Sequence, residues 1–145
     1  MKVLIASDHA GFELKEQLKQ RFQADYEFED LGTFSNESVD YPDFAHKLAE
    51  KIADGSYQYG VLICGTGNGM AMSANKHAGV RAGLCWSKEI AALVRQHNDA
   101  NILVLPARFI PKETAFDLFD TFFHTGFEGG RHQRRIDKIN ISHGE

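Results

Sequence analysis

The run Val61-Leu62-Ile63-Cys64-Gly65-Thr66-Gly67-Asn68-Gly69 constrains this chain more than any other segment. A short apolar stretch with two β-branched residues reads as a buried strand. It delivers a thiol directly into a turn with glycine at every second position. Such a turn lets backbone N–H groups converge on an oxyanion or a phosphate. The residues that follow, Met70-Ala71-Met72-Ser73-Ala74-Asn75-Lys76, read as a helix. The order strand, glycine turn, helix belongs to parallel α/β architectures. It would place Cys64 near a helix N-terminus, a position expected to lower a thiol's pKa. A buried cysteine used only for packing gives the same local pattern, so position alone leaves Cys64 open between core and chemistry. Gly65, Gly67 and Gly69 match a dinucleotide fingerprint only in part. The third glycine comes one residue early, and the lysine of a phosphate-binding P-loop is absent.

Similar strand-and-helix units recur along the chain. Lys2–Ser7 reads as a first strand, and Leu14, Leu18 and Phe22 mark one face of the next helix. Tyr26–Leu31 alternates apolar and acidic residues as a second strand, and Gly32–Asp40 is a polar loop. Pro42 opens a helix with an apolar stripe from Phe44 to Ala53, ended by Gly55. After the Cys64 unit come a strand over Val80–Cys85 and a helix capped by Ser87. A fifth strand spans Asn101–Leu105. Pro111 then opens a helix whose Phe116, Phe119, Phe122 and Phe123 suit a core or an interface. A basic helix runs from Gly129 to about Ile139. The pattern predicts an α/β protein, a Rossmann-like three-layer α/β/α sandwich with a five-stranded parallel sheet and an extra C-terminal helix. No repeat or linker divides the chain, so residues 1–145 are expected to form a single domain.

In such sheets, sites collect at the carboxyl ends of the strands. Asp8 and His9 follow the first strand, Cys64 to Gly69 the third, and Arg108 the fifth. A carboxylate and an imidazole can polarise a hydroxyl or carbonyl, although Asp8 in this position also suits a helix cap. Arg131 and Arg135 share a helical face and suit a dianionic phosphate, although a solvated basic helix looks the same. His97 follows the fourth helix and precedes the fifth strand, at the opposite edge of the sheet from Cys64. Either it caps its own helix, or it serves a site completed by a second subunit.

The bulk properties exclude other classes. A net charge of −4 argues against a broad nucleic-acid surface. No apolar run is long enough to span a bilayer, and Asp8 comes too early for a signal peptide. Two cysteines at the ends of apolar runs make no disulfide framework, and the expected location is cytoplasmic. The seven histidines lack the spacing of a zinc site, so no metal is expected.

Taken together, Asp8-His9-Ala10-Gly11, Asp40-Tyr41-Pro42, Cys64 to Gly69, Ala74-Asn75-Lys76, Arg95 to Asn101 and Glu128-Gly129-Gly130-Arg131-His132 resemble the type B ribose-5-phosphate isomerases. The galactose-6-phosphate isomerases share that fold. The motifs run in order from residue 8 to residue 135. The resemblance implies a single sugar-phosphate isomerase domain, an aldose–ketose isomerase that uses no cofactor and works through an enediolate. Cys64 matches the base that moves a proton between C1 and C2. Some members carry glycine there and a glutamate base just after the turn; here that later residue is Met70. By the same resemblance, Gly65, Gly67, Asn68 and Gly69 belong to the anion hole, and Thr66 lies near the ring oxygen or O1. Asp8 contacts sugar hydroxyls. His97 is the ring-opening acid/base, contributed by a neighbouring subunit. His9, Arg108, Arg131 and Arg135 contact phosphate, and Tyr41 and Asn98 line the pocket.

The implied partners are a small phosphorylated sugar and a second copy of the chain, in a homodimer with shared sites or a tetramer, with no nucleic acid or membrane. The leading expectation is interconversion of ribose 5-phosphate and ribulose 5-phosphate. The alternatives are a six-carbon sugar phosphate such as allose 6-phosphate or galactose 6-phosphate, or a sugar-phosphate or nucleotide-binding module without catalysis.

Overall fold

Hydrophobic residues on both faces of every central strand force this sheet to be covered on both sides. The computed structural model describes residues 1–141. The strands are β1 (Lys2–Ser7), β2 (Glu27–Asp30), β3 (Gly60–Cys64), β4 (Ala82–Leu84) and β5 (Ile102–Pro106). The helices are α1 (Phe12–Phe22), α2 (Tyr41–Ala53), α3 (Asn68–Ala74), α4 (Lys88–Gln96), α5 (Lys112–Phe123) and α6 (Arg131–Ile136). All pairings are parallel, in the order β2-β1-β3-β5-β4.

Alternation along the strands divides the core in two. Val3, Ile5, Val61, Ile63, Leu103 and Leu105 pack under α1, α4 and α5. Leu4, Ala6, Leu62, Cys64, Ile102 and Val104 pack under α2 and α3. This is the expected three-layer sandwich with α6 added. The phenylalanine-rich α5 belongs to the first core layer. Phe119 and Phe122 are buried, and the Phe119 ring stacks on Phe22 with centroids 4.2 Å apart. Ser87 caps α4 as expected, accepting from the Ile90 N–H at 3.3 Å.

Several boundaries differ from the sequence expectation for local reasons. Tyr26 precedes β2 and joins the aromatic cluster, edge-on to Phe119. The strand β4 is shorter than Val80–Cys85 and spans Ala82–Leu84, with side chains bonded to its backbone. The Asn75 amide pairs with both Ala82 N and Ala82 O, at 2.8 and 3.0 Å, and Asn101 Oδ1 accepts from Arg81 N. These contacts close the exposed edge of the sheet. The helix α3 starts at Asn68, inside the glycine turn, and the basic C-terminal helix is limited to Arg131–Ile136. Among the described residues, no helix is long and apolar enough to cross a membrane.

The topology creates the crevice. The chain turns from β1 to β2 on one side and to β3 on the other, so the carboxyl ends of β1 and β3 open beside each other. The loop beyond β2 is fastened at this edge. Buried Lys15 of α1 pairs with Asp30, whose other oxygen accepts from Gly32 N at 2.9 Å. Ser7 N then donates to Gly32 O, and Thr33 N to Ser7 O. This strap brings the loop leading to Tyr41 back to the start of the crevice.

Candidate active site

Cys64 ends β3 on the face covered by α2 and α3, and is 4 % exposed. The backbone N–H groups of Met70, Gly67 and Thr66 favour its thiolate form. The turn takes this shape because Gly67 has a left-handed φ of 80°. A Cβ at Gly67 would lie 2.3 Å from Leu84 Cδ1. One at Gly69 would lie 2.4 Å from the Tyr41 ring, so Tyr41 packs directly on the glycine backbone. Thr66 Oγ1 accepts from Asn68 N at 3.2 Å and tightens the turn. Arg108 lies across Gly65, and its N–H donates to Gly65 O at 3.0 Å.

The neighbouring strand supplies Asp8 and His9. Asp8 is buried, and its Oδ1 accepts from Ala10 N at 3.0 Å and Gly11 N at 3.2 Å. It thus shapes the turn into α1 and also faces the thiol. His9 Nδ1 accepts from Val39 N at 3.2 Å. A neutral His9 therefore carries its proton on Nε2, where it is a donor. Cys64, Gly65, Thr66, Gly67, Asn68, Gly69, Asp8, His9, Tyr41 and Arg108 all gather at this edge.

The electrostatics correct one expectation. The Cys64 thiol is pushed up from its ordinary pKa, not down. Burial is the largest cause, and the nearby Asp8 charge acts in the same direction. The amides of Met70, Gly67 and Thr66 oppose both without cancelling them. A helix end by itself lowers a thiol's pKa; here burial, with Asp8 beyond the neighbouring β1, outweighs it. Cys85 is fully buried and pushed up to about 12, so it stays an inert thiol. Alkylation by iodoacetamide should therefore fall on Cys64 alone and accelerate as pH rises through the alkaline range. Asp8→Asn should raise the Cys64 rate at fixed pH about threefold, because it removes a charge that disfavours the thiolate. An unchanged rate in that variant would discount the Asp8 contribution.

The remaining candidates sit at the opposite edge. His97 caps the C-terminus of α4 through its N–H to Leu93 O, and Asn98 follows it. Buried Arg95 holds this turn. It donates to Asp99 Oδ1 at 2.9 Å, Ala100 O at 2.7 Å and Thr125 O at 3.1 Å. Asp99 takes a left-handed φ of 47° to complete it. Glu128 N donates to Gln96 O at 3.1 Å, which brings α6 alongside. Arg131 and Arg135 lie on the exposed side of α6, while His132 and Ile136 turn inward. Cys64 pairs with Pro106 at the end of β5, whereas His97 precedes Ile102 at its start. The four steps of β5 span about 13 Å, so one chain separates the two groups.

The sequence reading missed Glu128 and His132 as members of this group. The His132 ring stacks on His97 with centroids 4.4 Å apart and planes 13° from parallel. Burial and the charges of His97, Arg131 and Arg135 hold His132 below the ordinary histidine pKa, against the opposite pull of Glu128. Ligand atoms of His97, Glu128 and His132 lie within 4.8 Å of one another, a grouping that their sequence spacing conceals.

Comparison with known proteins gives a consistent result. Residues 3–139 match the Ribose/Galactose Isomerase family. The chain is 41 % identical over 139 residues to ribose-5-phosphate isomerase B of Escherichia coli, covering 95 % of this chain and 93 % of that protein. The crystal structure of a ribose 5-phosphate isomerase from Thermotoga maritima superposes with a TM-score of 0.93 at 54 % identity, over 95 % of this chain and 96 % of that one. Ribose-5-phosphate isomerase B from Mycoplasma genitalium, solved with bound ribulose-5-phosphate, gives 0.91 at 45 % identity over 95 % and 93 %. The chain belongs to the ribose/galactose isomerase family.

Proposed function

We propose that this protein interconverts ribose 5-phosphate and ribulose 5-phosphate through an enediolate, with Cys64 as the base and no cofactor. The observation that carries the reading is the Cys64 thiol at the end of β3, where the glycine turn leads into α3 beside Asp8 and His9. The 45 % identical relative solved with ribulose-5-phosphate supports the choice of sugar. A proton next to a carbonyl is weakly acidic, so its removal needs a base beside fixed donors for the developing oxyanion. Cys64 takes the proton from one carbon and returns it to the next, while the backbone of Gly65 to Gly69 and Asn68 hold the enediolate oxygens. Thr66 lies near O1 or the ring oxygen, and Asp8 holds sugar hydroxyls.

The phosphate binds His9, Arg108, Arg131 and Arg135, which supplies binding energy away from the reacting carbons. Tyr41 and Asn98 line the pocket. His97 opens the sugar ring. Its separation from Cys64 along β5 supports a site shared between two copies, each completing the other's. The functional unit is therefore at least a homodimer, and the free thiol suits the reducing cytoplasm.

A coupled assay without added metal, comparing ribose 5-phosphate, allose 6-phosphate and galactose 6-phosphate, tests the reading. The pentose should have the highest kcat/KM. Preference for a hexose would retain the chemistry and overturn the substrate, and inactivity on all three would overturn the function.

A further inference from the structure

Glu128 has no part in the chemistry above, yet the fold places its carboxylate beside the Nε2 atoms of two stacked imidazoles. Its Oε1 lies 3.5 Å from His132 Nε2 and 3.9 Å from His97 Nε2. The backbone fixes this position. Glu128 N donates to Gln96 O, so the side chain starts beside the residue that precedes His97. The His132 ring, 8 % exposed, stacks on the face of His97 and limits how far that ring can swing. The Glu128 side chain is itself 52 % exposed, so it fills no space in the core. Both distances are longer than a formed hydrogen bond, and catalytic contacts of this kind tighten in the substrate complex.

We propose that Glu128 is the positioning residue for ring opening: its carboxylate accepts the Nε2 proton of His97 and leaves Nδ1 free to face the sugar. The proposal rests on the reading of His97 as the ring-opening group. Ring opening removes the proton of the anomeric hydroxyl, breaks the bond from C1 to the ring oxygen and adds a proton to that oxygen. A neutral His97 can take the first proton at Nδ1 and return it as the second, ending in its starting state. This works only while Nε2 keeps its own proton and the ring keeps its orientation. A carboxylate on the far nitrogen secures both.

The test separates ring opening from proton transfer between carbons. Ribulose 5-phosphate carries its phosphate on the one oxygen that could close a five-membered ring, so it stays open-chain. Deuterium exchange from solvent into its C1 therefore needs the Cys64 step and no ring chemistry. Glu128→Gln should lower kcat on ribose 5-phosphate roughly tenfold or more, the scale of an acid/base group losing its alignment, and leave the exchange rate within about twofold. Glu128→Asp, which keeps the carboxylate on a shorter stem, should recover part of the loss. Normal ribose 5-phosphate turnover in Glu128→Gln, with His97→Asn impaired, would overturn this inference alone. An equal fall in exchange and turnover in Glu128→Gln would also overturn it. Full turnover in His97→Asn would instead remove the ring-opening reading on which it rests.

Discussion

Cys64→Ala should lower turnover of ribose 5-phosphate by about three orders of magnitude, the middle of the range that a positioned base contributes. The same variant should bind inorganic phosphate nearly as well as the parent protein. These expectations come from different parts of the fold. Cys64 ends β3, while the proposed phosphate ligands come from the turn after β1, the turn after β5 and α6. Removing the sulfur leaves the backbone shape intact, because Gly67 and its contact with Leu84 set that shape. Cys64→Ser should be nearly as inactive, since a hydroxyl is a far weaker acid than a thiol and yields little anion at neutral pH. Turnover by stopped assay, phosphate affinity by competition and deuterium exchange at C1 together identify the lost step. Near-normal exchange in Cys64→Ala would show that another group is the base.

The raised thiol pKa sharpens the argument. Only the thiolate can accept the proton, so its population rises with pH until the thiol is ionised. Burial disfavours that charge in the unliganded crevice, and Asp8 adds to the effect. The amide donors at Met70, Gly67 and Thr66 act the other way, and the same kind of donor stabilises the enediolate oxygen. The free enzyme's kcat/KM should therefore climb through the neutral range.

The residues that were readable from the chain are those whose meaning is local. The glycine spacing announced the turn after Cys64, and the unbroken apolar run Val61–Ile63 announced a buried strand. Even the distance between His97 and Cys64 was legible, because a residue between a helix and the next parallel strand must lie at the amino edge. What was hidden depends on contacts between distant segments. Burial and Asp8 reversed the expected shift of the Cys64 thiol, and Asp8 comes from a different strand. Glu128 and His132 meet His97 only because Arg95 reaches Thr125 and Gln96 accepts from Glu128. The short edge strand is bonded by Asn75, a helix-terminal residue whose side chain pairs with Ala82. Periodicity carries no information about such side-chain pairings.

Mixing Cys64→Ala and His97→Asn subunits should restore activity that neither variant has alone. Each subunit carries one lesion, at one edge of its sheet. In a symmetric dimer whose sites take Cys64 from one protomer and His97 from the other, a mixed dimer has one site with both lesions and one with neither. Random reassociation of equal amounts makes half the dimers mixed, so about a quarter of all sites become intact. Turnover of ribose 5-phosphate should therefore approach about a quarter of the parent value above the residual rates. A site built within one chain predicts no recovery, because every subunit would remain damaged. The geometry favours sharing: β5 lies between the two groups and every one of its residues is buried, so neither edge can fold over to meet the other. Restored turnover would show that the separation of His97 from Cys64 is bridged by assembly.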